Sequence, residues 1–193
     1  MPPVEDLTAR ARIRDAALVE FGARGVSGAT IRAIAERAGF SPALVQHHFG
    51  TKDGLRDACD RHVLEYFHTQ AEAGLDDHRL GEPAFLGTVY EASQPVVKYL
   101  ARALVDGSPA AAAVFDEMVE LVERYLVDRS GLTDARTRAA VYTATRLGGL
   151  VLHEHLSRLL GVDVLTNEAG PHVSRAMLDP IAPDPALAAF KPI

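Results

Sequence analysis

The sequence predicts an all-α fold, in which a small N-terminal domain of three helices is followed by a larger helical bundle. Apolar residues recur every three or four positions along most of the chain, which is the spacing of an amphipathic helix. No stretch shows the sustained alternation of apolar and polar residues that marks a half-buried strand. Clusters of glycine, proline and serine divide the chain into helix-sized segments. We place the first domain at residues 1–52 and the second at residues 53–193.

Composition favours a folded, soluble protein. Of the 193 residues, 48% are hydrophobic, which is enough for one sizeable core or for a small domain joined to a larger one. Cys59 is the only cysteine, which excludes an internal disulfide and a cysteine metal cluster and fits a reducing cytoplasm. No signal peptide is visible, and no apolar stretch approaches the roughly 20 residues of a membrane-spanning helix. We therefore expect a cytoplasmic protein without a membrane partner.

The net charge of −6 argues at first against a nucleic-acid partner, but the charge is unevenly distributed. Residues 1–62 carry nine basic and eight acidic side chains, whereas residues 63–193 carry eleven basic and eighteen acidic ones. The acidic excess thus lies outside the N-terminal domain. Because that domain is only slightly basic, any affinity for DNA must come from well-placed contacts, doubled in a dimer, rather than from bulk attraction.

The first helix is predicted from Leu7 to Arg24, and Gly25 and Gly28 end it. Its apolar stripe and the three arginines near its start are Ile13, Ala17, Phe21, Arg10, Arg12 and Arg14. The arginines have two interpretations, since they either reach DNA phosphates or form a solvated helix face.

Two short helices separated by a tight turn follow. Thr30 is the predicted N-cap of Ile31–Ala38, and Gly39 ends that helix where a left-handed backbone is easiest for a residue without Cβ. Ser41 then caps a second helix that begins at Pro42, whose fixed φ and missing N–H suit the first helical position. This arrangement predicts a helix-turn-helix.

The second of these helices has an inward and an outward face. With Val45 pointing inward, Ala43 and His47 point away from the core, flanked by Leu44 and Gln46. In a major groove, glutamine can pair with adenine, histidine can reach a purine acceptor or a phosphate, and alanine or leucine can touch a thymine methyl. The alternative is an ordinary helical hairpin with solvated polar residues.

The chain resembles the tetracycline-repressor (TetR) family of transcriptional regulators from about Ala11 to Leu64. The matching residues are Ala17, Phe21, Gly25, Thr30, Ile34, Ala35, Ala38, Gly39, Ser41, His48, Phe49, Lys52 and Leu55.

The resemblance implies that Thr30 and Lys52 bind phosphates, that Ser41–His48 is the recognition helix, and that Phe49 closes the three-helix core. Family members usually carry tyrosine where Gln46 stands, so the operator sequence cannot be transferred from a relative. The residues predicted to contact double-stranded DNA are Thr30, Arg32, Ser41, Pro42, Ala43, Leu44, Gln46, His47, His48 and Lys52.

The second domain is predicted to be helical throughout. Thr51 caps a strut helix, Lys52 to about Ala73, which joins the DNA-binding end to the larger domain, and Gly54 is tolerated in its first turn. A linker follows at residues 74–82. The later predicted helices are Pro83–Ala92, Gln94–Asp106, Ala110–Arg129, Ala135–Leu160 and Asn167–Leu178, before a proline-punctuated tail from Pro180.

Neither a metal nor another cofactor is predicted. The acidic side chains of Ala110–Arg129 lack the histidines that accompany carboxylate metal sites in helical bundles, so we interpret them as a solvated face. His153 and His155 are two positions apart and face different directions, unlike the histidines of a zinc-binding His-Glu-x-x-His helix.

A homodimer is predicted because one recognition helix offers few contacts, whereas two related by a twofold axis read a palindrome. The broad apolar stripe of Ala135–Leu160, together with Asn167–Leu178, is the candidate interface, as in the family that the chain resembles. The stripe contains Gly148 and Gly149, which serve either close helix contact or a ligand cavity.

The resemblance further implies a small-molecule effector, mostly apolar, bound in the larger domain. The residues predicted to line its pocket are Leu100, Leu104, Phe115, Val119, Val122, Tyr142, Arg146, Gly149 and His153. The resulting hypothesis is a transcriptional regulator, most simply a repressor released from its operator by the effector. The rivals are a helical-bundle enzyme, for which we find no set of catalytic residues, and a DNA-architectural protein without an effector.

Overall fold

The computed structural model describes residues 4–76, 89, 91–125, 134–166, 169 and 176. These residues contain helices, turns and bends but no strand, so the predicted all-α class is confirmed. The helices are α1 (Val4–Gly28), α2 (Ile31–Ala38), α3 (Pro42–Phe49), α4 (Lys52–Asp76), α5 (Gln94–Asp106), α6 (Pro109–Tyr125), α7 (Ala135–Val151) and α8 (His153–Leu160).

The helix-turn-helix forms through the predicted caps. The Thr30 hydroxyl accepts a hydrogen bond from the Ala33 amide at 3.1 Å, and the Ser41 hydroxyl accepts one from the Leu44 amide at 3.2 Å. Gly39 adopts the left-handed conformation, with φ of 75°. Local capping therefore sets both the length of α2 and the turn into α3.

Gly25 interrupts α1, as predicted, and a short helical segment follows it. Its φ of 67° and ψ of 167° are not helical, yet the helix resumes and continues to Gly28. A side chain at this position would meet the Arg102 guanidinium of α5, whose Nη2 lies 3.1 Å from the site of a Cβ. The bend thus brings the end of α1 against α5.

One core of buried side chains joins the helix-turn-helix to the rest of the chain. Phe21, Ile34 and Val45 belong to the same buried cluster as Leu55 of α4 and Leu100 of α5. The domain boundary predicted at residue 52 remains a prediction, because burial is continuous across it.

Glycines allow two close backbone approaches in this core. A Cβ on Gly22 would lie 3.2 Å from the Tyr99 amide nitrogen, so α1 and α5 cross at backbone contact. A Cβ on Gly54 would lie 2.3 Å from the Phe49 carbonyl oxygen. The prediction that Gly54 is merely tolerated was wrong, because the end of α3 leaves no room for a side chain there.

The helices of the larger domain largely follow their predicted bounds. α4 extends through Gly74 to Asp76, so the beginning of the predicted linker is helical. Ser93 forms the expected break before α5. Residues 77–88 and 126–133 lie outside the described residues, and so do most of the predicted helix Asn167–Leu178 and the tail after it.

The predicted helix Ala135–Leu160 is two helices. Leu152, with φ of −94° and ψ of 13°, separates α7 from α8. The two glycines at positions 148 and 149 weaken helix propensity in the turn just before the break.

The apolar stripe of α7 and α8 is exposed in the isolated chain. Val141 is 62% exposed, Leu152 is 52%, Leu159 is 74% and Leu160 is 53%. A Cβ on Gly148 would meet no atom within 4 Å. No helix among the described residues is long and apolar enough to cross a membrane.

Candidate nucleic-acid interface

α3 presents a polar outward face. Ala43, Gln46 and His47 are exposed, and Val45 is buried, as predicted from their helical spacing. Leu44 differs from the prediction, since it is half-buried and packs against the core. The surface open to a DNA groove is therefore narrower than the sequence indicated, and Gln46 and His47 supply its hydrogen-bonding groups.

Four further predicted contacts lie around this face. Arg32, Ser41 and Pro42 are exposed. His48 is half-buried, and its ring meets that of Phe49 edge-on at 6.2 Å between centroids. His48 thus contacts the core on one side, whereas the other three are open to solvent.

The predicted phosphate contacts flank the helix-turn-helix. Thr30 is exposed although its hydroxyl caps α2. Lys52 Nζ donates to the Ala29 carbonyl at 3.2 Å, which ties the start of α4 to the start of α2. Since an ammonium group has three donors, this bond leaves two of them for a phosphate.

The arginines of α1 hold the helix-turn-helix in place. Arg12 Nη2 donates to the Ala38 carbonyl at 2.9 Å at the end of α2, and its guanidinium lies 4.7 Å from the centre of the Phe40 ring. Arg10 Nη1 donates to the His48 carbonyl at 3.0 Å near the end of α3. Both cations meet the negative end of a helix dipole. Of the two interpretations of these arginines, neither included this structural role.

A buried carboxylate joins α1 to α2. The Glu20 side chain is 5% exposed, and its Oε1 accepts a hydrogen bond from Arg37 Nε at 2.8 Å. Arg24, one turn further along α1, places Nη1 2.9 Å from Oε2. Sequence analysis missed Glu20, because its position on the helix does not show that two arginines surround it.

Tyr99 connects α5 to the two longest helices of the N-terminal half. Its hydroxyl donates to Asp60 Oδ1 on α4 at 2.5 Å, and its ring lies 6.3 Å from that of Phe21 on α1. Burial raises the pKa of Asp60 above its ordinary value, and the Tyr99 hydrogen bond opposes that rise. Burial and the neighbouring carboxylate together raise the pKa of Tyr99. Tyr99 therefore links α5 to both α4 and α1.

A histidine bridges α4 and α6 at the surface. His68 Nδ1 lies 2.5 Å from Glu117 Oε1, and its Nε2 lies 3.2 Å from Glu72 Oε1. The hydrogen bond to Glu117 and the charges of both carboxylates raise the pKa of His68. This bridge links the strut helix to the larger domain more strongly when the imidazole is protonated.

The predicted effector residues fall into two groups. Leu100 and Val119 are buried, and Leu104 and Phe115 are half-buried and pack against the core. Val122 and Gly149 are half-buried as well. These six residues lie at or beside the core.

The polar residues of the predicted effector site are partly paired. Arg146, 8% exposed, donates from Nη2 to the Tyr142 hydroxyl at 2.9 Å, and its guanidinium stands 5.0 Å from the centre of that ring. His153 lies apart from this pair, in a cleft of about 370 Å³ that Lys98 also lines. Burial lowers the pKa of His153. The predicted lining residues are therefore not gathered around that cleft.

A second, larger cleft lies between the end of α1, the start of α4 and the end of α5. It has a volume of about 620 Å³, and none of the predicted effector residues lines it. Among the described residues, no three side chains of the metal-binding types are grouped closely enough to hold a metal ion.

Comparison with known protein families identifies both domains. The family model for bacterial regulatory proteins of the tetR family matches residues 13–59. A model described as the tetracyclin repressor-like C-terminal domain matches residues 91–182. The first match contains α2 and α3, and the second contains α5 to α8.

Individual proteins agree with the family models. The HTH-type transcriptional regulatory protein RaaS of Mycobacterium tuberculosis is 40% identical over 154 residues, which is 77% of this chain and 72% of that protein. A transcriptional regulator from Rhodococcus sp. Rha1 has a similar structure, with a TM-score of 0.61 and 26% identity over 88% of this chain and 95% of the other.

A protein described as a gamma-butyrolactone receptor, ArpA-like, also has a TM-score of 0.61, at 20% identity over 90% of this chain and 98% of the other. That identity supports the fold alone. The comparisons give no support to the helical-bundle enzyme. The chain therefore belongs to the tetR family of bacterial regulatory proteins, and it is a transcriptional regulator with an N-terminal helix-turn-helix for binding DNA.

Proposed function

We propose that the protein is a repressor that binds a palindromic DNA operator as a homodimer and leaves it when a small, mostly apolar effector binds. The observation that carries the DNA-binding part is the exposed face of α3, where Gln46 and His47 stand free of the core. Arg10 and Arg12 support it, because they anchor the ends of α3 and α2 through backbone carbonyls. A rigidly held helix reads bases with little loss of side-chain and backbone freedom.

The test of base readout compares specific with random duplexes. Gln46→Ala and His47→Ala are each expected to cost about 1–3 kcal/mol on the operator and to relax its sequence preference. Lys52→Ala is the matched control, because loss of a phosphate contact weakens all duplexes alike and lowers the salt slope by about one per monomer. Fluorescence anisotropy on both duplexes measures these effects. If Gln46→Ala weakens both duplexes equally, α3 does not read bases through this residue.

The exposed apolar stripe of α7 and α8 supports the homodimer. Val141, Leu152, Leu159 and Leu160 are all more than half exposed in one chain, and several large apolar side chains exposed on neighbouring helices favour an interaction site. The open space over Gly148 allows a helix from a second copy to approach closely. A twofold axis at this face would place two α3 helices on half-sites about one helical turn apart.

Sedimentation tests this interface with a control on the same chain. Leu159→Glu places a charge in the stripe and is expected to yield monomers at micromolar concentration. Val105→Glu makes the same chemical change at an exposed valine of α5, outside the stripe, and is expected to remain dimeric. A dimer that survives Leu159→Glu and Val141→Glu unchanged would place the interface elsewhere.

The effector site is supported by the apolar residues of the larger domain and by the buried Arg146, which donates to the half-buried Tyr142. A buried guanidinium orients a polar or anionic end of a mostly apolar molecule. The fold neighbour described as a gamma-butyrolactone receptor makes lactones reasonable members of a first screening panel.

Each compound of this panel is titrated into the complex of the protein with labelled operator, to test whether it releases the DNA. We expect an effector to weaken operator binding about 5–150-fold, the range of ordinary allosteric coupling. Phe115→Trp narrows the proposed pocket and is expected to reduce the response without reducing DNA binding. A wild-type response in Phe115→Trp and in Arg146→Gln would place the effector elsewhere.

A further inference from the structure

The cleft between the end of α1, the start of α4 and the end of α5 is built from charged and backbone groups of four segments. Its walls come from the end of α1 (residues 24–27), the first turns of α4, the last turns of α5 and the turn at residues 107–109. Its volume of about 620 Å³ is in the range of small-molecule sites. Because it lies between segments of both domains, a molecule bound there contacts both.

The cations of this cleft outnumber its carboxylates. Arg24, Lys52, Arg56 and Arg102 line it together with two aspartates, Asp53 and Asp106, although the chain as a whole is acidic. Asp106 forms an ion pair with Arg102, whose Nε lies 3.1 Å from Asp106 Oδ1. Among the described residues, no carboxylate lies within ion-pair distance of Lys52. Arg24 is in turn paired with Glu20, and Arg56 faces Asp53 and Asp57, so Lys52 is the cation of the cleft that has no ion-pair partner among the described residues.

Two groups that line the cleft have unused hydrogen-bonding capacity. Arg56 Nε and Ser108 Oγ are buried atoms that have no hydrogen-bond partner among the described residues. The ion pairs of Arg56 are long, with Nη1 at 3.8 Å from Asp53 and Nη2 at 3.5 Å from Asp57. Buried polar atoms of this kind are costly unless a ligand or water satisfies them.

We propose that this cleft binds a small anion carrying a phosphate or carboxylate group, at a site separate from the apolar effector site. The Arg56 guanidinium on α4 and the Ser108 hydroxyl after α5 donate to the anion, and Lys52 adds charge. An anion held by both stabilises the arrangement of α4 against the end of α5. The proposal concerns binding in the absence of DNA, so it does not depend on the repressor mechanism.

Pyrophosphate and citrate are suitable probes of the two anion classes. Each is titrated into the full chain without DNA, at constant ionic strength set by sodium chloride, while calorimetry and melting temperature are recorded. We expect saturable binding of at least one probe, with a rise in melting temperature. No saturable binding of either probe up to about 10 mM would overturn the proposal.

Variants show whether the binding occurs in this cleft. Arg56→Gln and Ser108→Ala remove the two donors and are each expected to weaken binding about 10–100-fold. Ser27→Trp leaves every charge in place but fills the cleft from an exposed position, and it should weaken binding as well. Arg124→Gln removes the same charge from an exposed arginine of α6 outside the cleft, and it should bind like the wild type.

The variants distinguish a specific anion-binding site from nonspecific electrostatic attraction. Equal weakening by Arg56→Gln and Arg124→Gln would show nonspecific charge effects and overturn the assignment. If Arg56→Gln does not fold, Ser108→Ala and Ser27→Trp decide the question. Wild-type affinity in both of these variants places the anion elsewhere and refutes the proposal.

Discussion

The buried carboxylate of Glu20 has two arginine partners that differ in kind, which allows a controlled test. Arg37 comes from α2 and donates a hydrogen bond of 2.8 Å to Oε1. Arg24 comes from the same helix and lies 2.9 Å from Oε2, but no described residue meets Oε2 in hydrogen-bond geometry. Only the Arg37 contact therefore holds one helix against another with a directional bond.

The structure gives an expected magnitude for each pair. A hydrogen bond between charged groups contributes roughly 1.5–3 kcal/mol. The Arg37 side chain is 48% exposed, so solvent screening reduces this value, and we expect a coupling of about 1–2 kcal/mol between Glu20 and Arg37. The pair of Glu20 with Arg24 spans one helical turn from a 57% exposed side chain, and its coupling should be below about 0.5 kcal/mol.

Double-mutant cycles measure both couplings. Glu20→Gln, Arg37→Gln, Arg24→Gln and the two double variants are unfolded with urea at constant pH and salt, and the free energies of unfolding are extrapolated linearly. Glutamine keeps the shape of glutamate and removes its charge, and at the two arginine positions it removes the guanidinium while keeping a polar side chain. If the coupling with Arg24 equals or exceeds the coupling with Arg37, hydrogen-bond geometry does not decide the contribution of these pairs and the reasoning fails.

Three further predictions follow from contacts described above. Gly54→Ala should destabilise the fold by about 2 kcal/mol or more in urea unfolding, because its Cβ would lie 2.3 Å from the Phe49 carbonyl oxygen, and an unchanged stability would show that α3 and α4 separate easily. His68 has a raised pKa in the folded chain, so its stabilising contribution is complete below its unfolded value of about 6.5 and is lost as pH rises through the folded pKa. His68→Gln should flatten the melting temperature as a function of pH in that window, and an unaltered profile would contradict the role of Glu117. Arg12→Gln should lower stability by about 1–2 kcal/mol and weaken DNA binding on all duplexes, whereas a selective loss on the operator would contradict its positioning role.

The helix-turn-helix was predictable because its signals are local. The caps at Thr30 and Ser41 and the left-handed Gly39 each act within four residues, and all three are confirmed. A capping side chain before an amphipathic segment predicts where the helix begins, and a glycine after the segment predicts where it ends.

The long-range contacts that hold the helices against one another were not predictable in the same way. Arg12 donates to a carbonyl 26 residues away, and Tyr99 donates to Asp60, which lies 39 residues away. Nothing in the spacing of arginines along α1 distinguishes a phosphate contact from a helix-end contact. Leu44 shows the same limit, since helical rotation placed it on the outer face while the neighbouring helices cover it.

The sequence of α7 and α8 predicts a broad apolar stripe, and the structure shows that part of this stripe is exposed. An apolar stripe wide enough for burial on more than one side is instead left open at Val141 and Leu159. The surface is thus available for a second copy. The division at Leu152 also lets α8 take a direction different from α7, which a single helix would not permit.

One contact of α5 contributes enough free energy for regulation through this helix. Tyr99 holds α5 to α4 by a hydrogen bond to a carboxylate, a type of bond worth roughly 1.5–3 kcal/mol. Allosteric couplings of about 1–3 kcal/mol change affinity about 5–150-fold. A ligand that favours one position of α5 therefore needs to alter only this bond, or the backbone contact at Gly22, to shift the helix-turn-helix. Tyr99→Phe would accordingly change the response of DNA binding to an effector more than it changes DNA binding itself, and comparison of operator affinity with and without effector measures that difference.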